Sequence, residues 1–348
     1  MSTVQQIAQF IRWRDWGPGK LTILWSLCLY IAVAYDLPFV SFILTFVVFL
    51  IFAATQSALG YVLNDWGDRE LDRRQFKRNS FTGKSTLECV LALTLILVMA
   101  FVTGFPLAPR PGFAILWMAW AASAAAYSLE PLRLKTKGMV GLPVSFVAQW
   151  FLPVLITFAA FGVAGGVDMW LLAIALTICG ATLEIAHQRY DRARDMLTRA
   201  TTFAASLSDE AVDRIYTVAL LFDRLAIGVV VAVVAYRLLP LETPWSSALA
   251  ILISGLYGLL FLVTLPAAFR SIRTGVVEDP YYSSSHSVAQ LLHETILNFF
   301  VPVVLGMAAI LVEPYYAFLL GLFLVWRVVL GGADWLWPLR AARIRLKH

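Results

Sequence analysis

Long apolar runs separated by short polar connections dominate the pattern of hydrophobic and polar residues along this chain. The runs are continuous and do not alternate between apolar and polar residues, which is typical of membrane-crossing α-helices and not of a β-barrel. The pattern therefore predicts an all-α polytopic membrane protein with nine to ten transmembrane helices. The predicted spans cover residues 21–36, 39–63, 86–109, 112–129, 140–163, 169–187, 214–239, 245–269, 291–312 and 314–331.

The composition agrees with a membrane protein. Of the 348 residues, 60% are hydrophobic and only 14% are charged, and the mean hydropathy is +0.77. A typical soluble domain is far less apolar. The first residues contain no apolar core followed by a small-residue cleavage site, so we expect the first span to remain in the mature protein. Cys28, Cys89 and Cys179 each lie in an apolar run, which favours buried thiols over a disulfide framework or a zinc site.

Basic residues mark one side of the membrane. They cluster before the first span and after every even-numbered span, whereas the alternate connections carry almost none apart from Arg110 and Arg237. The positive-inside rule therefore places both termini and the longer connections in the cytoplasm. We expect function on that face, in a bacterial inner membrane, with the active site facing the cytoplasm.

The first acidic cluster, NDWGDRELD at residues 64–72, follows the second span directly. If the span continues as a helix, Asn64, Asp68 and Asp72 recur every four residues, and Asp65 precedes Asp68 by three, so these side chains share one face. Carboxylates at this spacing repel one another unless a cation lies between them, and clustered oxygen ligands suit Mg²⁺. The alternative is a solvated helix end paired with its own arginines.

A second acidic cluster ends the sixth span, in LEIAHQRYDRARD. Asp191 and Asp195 lie four residues apart, and Glu184 and Gln188 continue the same stripe back into the apolar region. An ionisable residue inside a span indicates function. Two such clusters at the same face predict two Mg²⁺ ions facing each other across a central cavity that opens to the cytoplasm. For His187, a polar cap or packing role is favoured over metal ligation.

Cations accompany both clusters. Lys77 and Arg78 follow the first, Arg192 lies within the second, and Arg133 and Lys135 arrive from the fourth span in YSLEPLRLK. A phosphate ester needs such positive groups as well as a metal. The alternative interpretation is that some of these residues only mark topology.

Three motifs in this order resemble those of the UbiA superfamily of intramembrane prenyltransferases, over roughly residues 10 to 270. The first is NDxxDxxxD, the second YSxxPxRLK and the third a DxxxD type. They match here at Asn64, Asp65, Asp68 and Asp72, at Tyr127, Ser128, Pro131, Arg133, Leu134 and Lys135, and at Asp191 and Asp195. Asn79 stands where proline is common in the family, and His187-Gln188 where several branches have Asn-Asp. The branch therefore stays open.

The resemblance implies that Mg²⁺ ions bind an isoprenyl diphosphate, that an allylic carbocation forms, and that a lipophilic acceptor traps it. The implied metal ligands are Asn64, Asp65, Asp68, Asp72, Asp191 and Asp195. The implied diphosphate ligands are Lys77, Arg78, Arg133, Lys135 and Arg192, and the catalytic residues are Asp68, Asp191, Tyr127 and Lys135. The expected partners are the diphosphate donor, an unidentified lipophilic acceptor and membrane lipid, and no nucleic acid.

Three other functions stay open at this point. A terpene cyclase of the same superfamily would ionise the same donor and trap the cation with the substrate's own alkene. A phosphoribosyl transferase would use a sugar diphosphate and a polyprenyl phosphate. A transporter would use in-span acids such as Glu184 as an ion path, although transporter sites usually lie near the bilayer midplane.

The domain organisation predicted is a single transmembrane domain over residues 1–348. Residues 270–290 form either a cytoplasmic lid or, as we favour, a surface loop. Residues 332–348 form a basic C-terminal tail that would lie on anionic headgroups.

Overall fold

Helices make up nearly all of the computed structural model, which describes residues 3–74, 79–197, 202–241, 243–282 and 287–330. The basic tail at 332–348 and the diphosphate candidates Lys77 and Arg78 lie outside these residues. The helices are α1 (Thr3–Phe10), α2 (Trp13–Ala34), α3 (Phe39–Arg74), α4 (Thr86–Gly104), α5 (Phe113–Ser128), α6 (Gly141–Ala160), α7 (Val167–Leu197), α8 (Asp209–Leu238), α9 (Pro244–Thr274), α10 (Val288–Val312) and α11 (residues 317–330).

Within the described residues, eight helices are long and apolar enough to cross a membrane. Helix α5 is apolar but shorter, and α11 is also short, so the predicted count of nine to ten spans depends on these two segments. Each predicted span corresponds to a helical segment. The chain is therefore an integral membrane protein, built as an all-α bundle.

Aromatic side chains fill the core between the helices. Along α3, Phe42, Phe49 and Phe52 are almost completely buried, and the Phe42 ring stacks on Phe161 at 5.3 Å between centroids. Large apolar side chains on α4 and α9 remain exposed instead, such as Leu95 and Leu262. Exposed apolar side chains on an outer helix are expected where lipid is the solvent.

Two helices, α3 and α7, extend beyond their apolar parts at one end of the bundle, and their charged ends carry the two acidic motifs. The connection between α5 and α6 approaches α3 there. A Cβ atom built at Gly67 would lie only 2.2 Å from the Ser128 carbonyl oxygen, so only glycine permits this approach. The approach brings the YSLEPLRLK segment against the first motif.

Candidate active site

A cavity of about 290 Å³ lies between α2, α3, α5, α6 and α7. Asn64, Asp68 and Asp72 line it from α3, and Asp191 and Asp195 line it from α7. The two acidic helix ends therefore border one space, as the motif positions predict.

Asp68 is held by two cations from the α5–α6 connection. Arg133 donates to Asp68 Oδ1 at 2.9 Å, and Lys135 Nζ lies 2.7 Å from Asp68 Oδ2. Lys135 also donates to Asn64 Oδ1 at 2.8 Å. Burial lowers the pKa of the Lys135 ammonium, and the negative charge of Asp68 opposes this effect. These contacts join two of the three motifs into one polar cluster.

Asp72 is fixed by the connection that follows α3. The Asn79 side chain donates to Asp72 Oδ2 and to the Asp65 carbonyl oxygen, both at 2.7 Å, and accepts from the Phe81 amide at 2.9 Å. Asn79 itself is buried. The departure from proline at this position therefore provides an amide that connects the motif to the next loop.

Asp65 lies outside the cavity lining, which differs from its predicted role beside Asp68. Its side chain is 2% exposed, pairs with Arg12 at 2.9 Å and accepts hydrogen bonds from the Ser80 amide and hydroxyl. Asp65 projects about 100° around the helix from Asn64, at the edge of the polar face, where the N-terminal segment meets it. The structure therefore places Asp65 outside the cavity and against the N-terminal segment, unlike Asp68.

The second acidic end is less tightly held. Asp191 has His187 Nε2 at 3.6 Å and Arg194 at 3.5 Å, and Asp195 accepts from the Thr202 hydroxyl at 2.9 Å. Gln188, one turn before, has a buried Oε1 atom with no hydrogen-bond partner, and it also lines the cavity. A buried oxygen without a partner, on a residue that lines the cavity, is a candidate ligand for a cation or a donor group.

Arg192 does not reach the cavity, contrary to its predicted contact with a diphosphate. It donates to the carbonyl oxygens of Ala204 at 2.9 Å and Leu207 at 2.6 Å, and it pairs with Asp209. Arg192 therefore fixes the connection between α7 and α8, and its neighbours on the helix face the cavity in its place.

The cavity has a deeper polar layer, to which Lys20 belongs together with the predicted residues Glu184 and Tyr127. Lys20 of α2 donates to Gln149 Oε1 of α6 at 2.8 Å, and its ammonium lies 4.8 Å from the centre of the Tyr61 ring. Tyr127, predicted as catalytic, and Glu184 line the same cavity. The signal for Lys20 was a basic residue at the edge of an apolar run, and nothing in the sequence paired it with α6.

The segment 275–282 is packed against α7 and α8. Asp279 pairs with Arg189 at 3.2 Å, and Glu278 pairs with buried Arg224 at 2.6 Å. The Tyr282 hydroxyl lies 3.0 Å from His187 Nδ1. These contacts attach the described residues 275–282 to the neighbouring helices.

The residues around the cavity fit Mg²⁺ by their donor chemistry. Hard oxygen ligands from α3 and α7 face the same space, and the unpaired Gln188 Oε1 lies among them. In the described part of the chain, however, no three His, Cys, Asp or Glu side chains are close enough to hold an ion by themselves. A bound ion would therefore need ligands from a substrate as well, which is typical of Mg²⁺ at phosphate sites.

Comparisons with known proteins agree with this architecture. A family model described as the UbiA prenyltransferase family matches residues 21–273. No curated protein sequence matches the chain significantly.

Solved structures share the fold at low sequence identity. A digeranylgeranylglyceryl phosphate synthase is 13% identical with a TM-score of 0.57, over 89% of this chain and 99% of that one. A UbiA homologue from Archaeoglobus fulgidus bound to GPP and Mg²⁺ is 14% identical with a TM-score of 0.55, over 88% of this chain and 99% of that one. The same homologue bound to DMAPP and Mg²⁺ gives a TM-score of 0.54 at 14% identity, over 90% and 98%.

Proposed function

Because the chain belongs to the UbiA prenyltransferase family, we propose that it is a Mg²⁺-dependent intramembrane prenyltransferase. It moves an isoprenyl group from an isoprenyl diphosphate to a lipophilic acceptor. The charged end of the bundle faces the cytoplasm, as the distribution of basic residues predicts. In a bacterium, the membrane would be the inner membrane.

The observation that carries this proposal is the meeting of the two acidic motifs at one cavity. Asp68 and Asp191 come from helices far apart in sequence, and both line the same space. Arg133 and Lys135 stand beside Asp68. Carboxylates next to cations suit a substrate that arrives with phosphate oxygens and divalent ions, and they do not suit a purely cationic ligand.

Asn64, Asp68 and Asp72 on one side and Asp191 and Asp195 on the other would hold the metal. Bound Mg²⁺ would neutralise the charge that develops on the departing diphosphate. That the Archaeoglobus homologue binds GPP or DMAPP with Mg²⁺ supports an isoprenyl diphosphate as the donor.

The protein's own cations complete the donor site. Arg133 and Lys135 now pair with Asp68, and an arriving diphosphate offers them stronger acceptors with more charge. Arg133 has a buried Nε atom with no hydrogen-bond partner, which leaves it one donor for a phosphate oxygen. We expect both residues to bind and orient the diphosphate.

Aromatic residues protect the isoprenyl group below that level. Tyr61, Trp120 and Tyr127 line the deeper cavity. The ring faces of Trp120 and Tyr127 stabilise a developing allylic cation by cation–π contact, and the bulk of all three residues excludes water that would trap it.

The test is an incubation of the purified protein in detergent with isoprenyl diphosphates of several chain lengths, with Mg²⁺ or with a chelator. We expect little Mg²⁺-dependent turnover alone and prenylated lipid when a membrane lipid extract is added. A cyclic hydrocarbon formed without extract would show a terpene cyclase. Turnover only with a phosphoribosyl diphosphate and a polyprenyl phosphate would show the sugar transferase, and both results would overturn the proposal.

A further inference from the structure

The cavity has two polar layers at different depths. Tyr61 precedes Asp68 by seven residues on α3, and Glu184 precedes Asp191 by seven residues on α7. Two helical turns place the deeper pair about 10 Å below the carboxylates that would hold Mg²⁺. All four residues line the same cavity. The deeper layer is therefore continuous with the proposed donor site but separate from its metal ligands.

Lys20 brings a positive charge to the deeper layer without an acidic partner. Its hydrogen bond goes to the neutral Gln149 side chain, and its other contact is the face of Tyr61. Both Lys20 and Glu184 belong to the described residues, and no salt bridge joins them there, although they attract each other electrostatically. An ammonium at membrane depth is costly unless it serves a function.

Glu184 is the only carboxylate among the described lining residues at this depth. One of its oxygens accepts a hydrogen bond from Gln188 Nε2 at 3.2 Å. Tyr61 and Tyr127 line the same cavity. Gln188 donates through its amide nitrogen here. A carboxylate accepts more than one hydrogen bond, so Glu184 can still accept one from a molecule in the cavity that it lines.

A separated ammonium and carboxylate select the chemistry of what binds between them. An anionic headgroup would be repelled by Glu184, and a cationic one by Lys20. A neutral group that both donates and accepts a hydrogen bond satisfies both charges at once. A hydroxyl next to a second oxygen has this combination.

We propose that Lys20 and Glu184 form the acceptor site and that the acceptor is a neutral, hydroxyl-bearing lipid. This inference rests on the proposed prenyl transfer. The acceptor O–H group faces Glu184, and a neighbouring oxygen of the acceptor accepts a hydrogen bond from Lys20. The hydrocarbon chain of the acceptor lies against the aromatic lining residues Tyr61, Trp120 and Tyr127.

The transfer step balances with these groups alone. The bond between the isoprenyl C1 atom and the diphosphate oxygen breaks, and its electron pair leaves with the diphosphate. The acceptor oxygen supplies the pair for the new bond to C1. Its proton passes to a carboxylate oxygen of Glu184, which gives an ether and a protonated Glu184.

The first test uses the wild-type protein, labelled isoprenyl diphosphate and Mg²⁺ with two forms of one membrane lipid extract. One form is untreated, and in the other the hydroxyl groups are acetylated. We expect labelled lipid from the untreated extract and a loss of at least about tenfold after acetylation. Equal labelling of both extracts would overturn the inference while leaving the proposed prenyl transfer intact.

The second test compares Glu184→Gln with the control Glu210→Gln, an exposed residue in the first turn of α8. We expect Glu184→Gln to lower transfer to the untreated extract by roughly 100-fold, the usual range for a lost proton acceptor. Its binding of inorganic pyrophosphate with Mg²⁺, measured by calorimetry, stays that of wild type. The control keeps both. Wild-type transfer by Glu184→Gln, or loss of its pyrophosphate binding, would overturn the assignment.

Lys20→Met and Lys20→Arg test the other half of the site. We expect Lys20→Met to raise the amount of extract needed for half-maximal transfer by about tenfold, equivalent to one lost hydrogen bond to a charged group, and Lys20→Arg to recover part of it. A rise in the half-saturating donor concentration instead would assign Lys20 to the diphosphate and overturn this role. If the wild type neither binds pyrophosphate nor labels any lipid, the proposed function itself fails.

Discussion

The two acidic helix ends differ in their partners and not in their exposure. The side chains of Asp68 and Asp191 are 18% and 17% exposed. Asp68 has two cations at 2.9 Å and 2.7 Å, whereas Asp191 has only longer contacts at 3.5 Å and 3.6 Å. Among the described residues, Asp68 therefore has closer cationic partners than Asp191 has.

Two similar acidic motifs can therefore serve different parts of one site, one the diphosphate and the other the metal ion. The cations beside Asp68 are positioned to move onto a phosphate, so the α3 end favours the donor's anion. The α7 end, with its unpaired Gln188 oxygen, favours a metal ion. We expect the two ends to respond differently to the same substitution.

The largest effect follows from removing either central carboxylate. Asp68→Asn and Asp191→Asn each lower prenyl transfer by roughly 100-fold or more, because each removes a ligand for the charge on the leaving diphosphate. Transfer of labelled isoprenyl groups to a lipid extract measures this loss.

Metal binding by the same two variants distinguishes the roles of the two helix ends. With inorganic pyrophosphate present, Mg²⁺ should raise the unfolding temperature of wild type and of Asp68→Asn, and it should not raise that of Asp191→Asn. If Mg²⁺ protects Asp191→Asn and not Asp68→Asn, the assignment of the ion to the α7 end is wrong. Full Mg²⁺-dependent activity in either variant would contradict the two-metal proposal.

Asp65 gives the next largest effect, on stability. Asp65→Ala leaves Arg12 without its buried partner. It also removes the oxygen that accepts hydrogen bonds from the Ser80 amide and hydroxyl. We expect a loss of roughly 2 kcal/mol in the free energy of unfolding, less than for a fully buried pair because Arg12 is 34% exposed.

Activity per folded molecule distinguishes the two roles of Asp65. The activity of Asp65→Ala should depend on Mg²⁺ concentration as wild-type activity does, since Asp65 does not line the cavity. A large rise in the half-saturating Mg²⁺ concentration would restore Asp65 as a metal ligand. Thermal unfolding in detergent and a Mg²⁺ titration of activity measure the two quantities.

Sequence reasoning located the site because spacing along a helix is a local property. Asn64, Asp68 and Asp72, spaced four residues apart, share one face of α3 in the structure. Asp68 and Asp191 line the same cavity. The partners of Asp65 and Arg192 could not be predicted, because the neighbours of a helix edge come from distant segments, the N-terminal segment and the α7–α8 connection. Lys20 was missed for the same reason.

Gly67 tests whether close packing keeps the α3 end neutralised. Gly67→Ala would place a methyl carbon 2.2 Å from the Ser128 carbonyl oxygen, and a backbone atom cannot move away freely. We expect about 1 to 3 kcal/mol of destabilisation from overpacking and weaker donor binding, because the Arg133 and Lys135 segment is displaced from Asp68.

Gly60→Ala is the matched control on the same helix. Its new methyl group would meet the Ala124 Cβ atom at 3.8 Å, an ordinary contact. It should leave stability unchanged or slightly higher, since alanine favours helix. Equal effects of the two substitutions, in thermal unfolding and in the donor KM, would show that the α3–α5 approach does not support the site.

The smallest effect concerns the pH dependence of the ion pair between Lys135 and Asp68. Lys135 is charged below its pKa and neutral above it, and burial lowers that pKa while Asp68 raises it and Arg133 lowers it further. As pH rises, Lys135 therefore loses its charge earlier than an exposed lysine would, and the donor KM should increase on the alkaline side. Lys135→Arg keeps its charge at these pH values, so its donor KM should stay flat over the same range, even if it is higher throughout. In the described residues, the basic groups beside Asp191 are His187 and Arg194. The half-saturating Mg²⁺ concentration should therefore not follow the same alkaline curve, and a shared curve would mean that the two helix ends titrate as one unit.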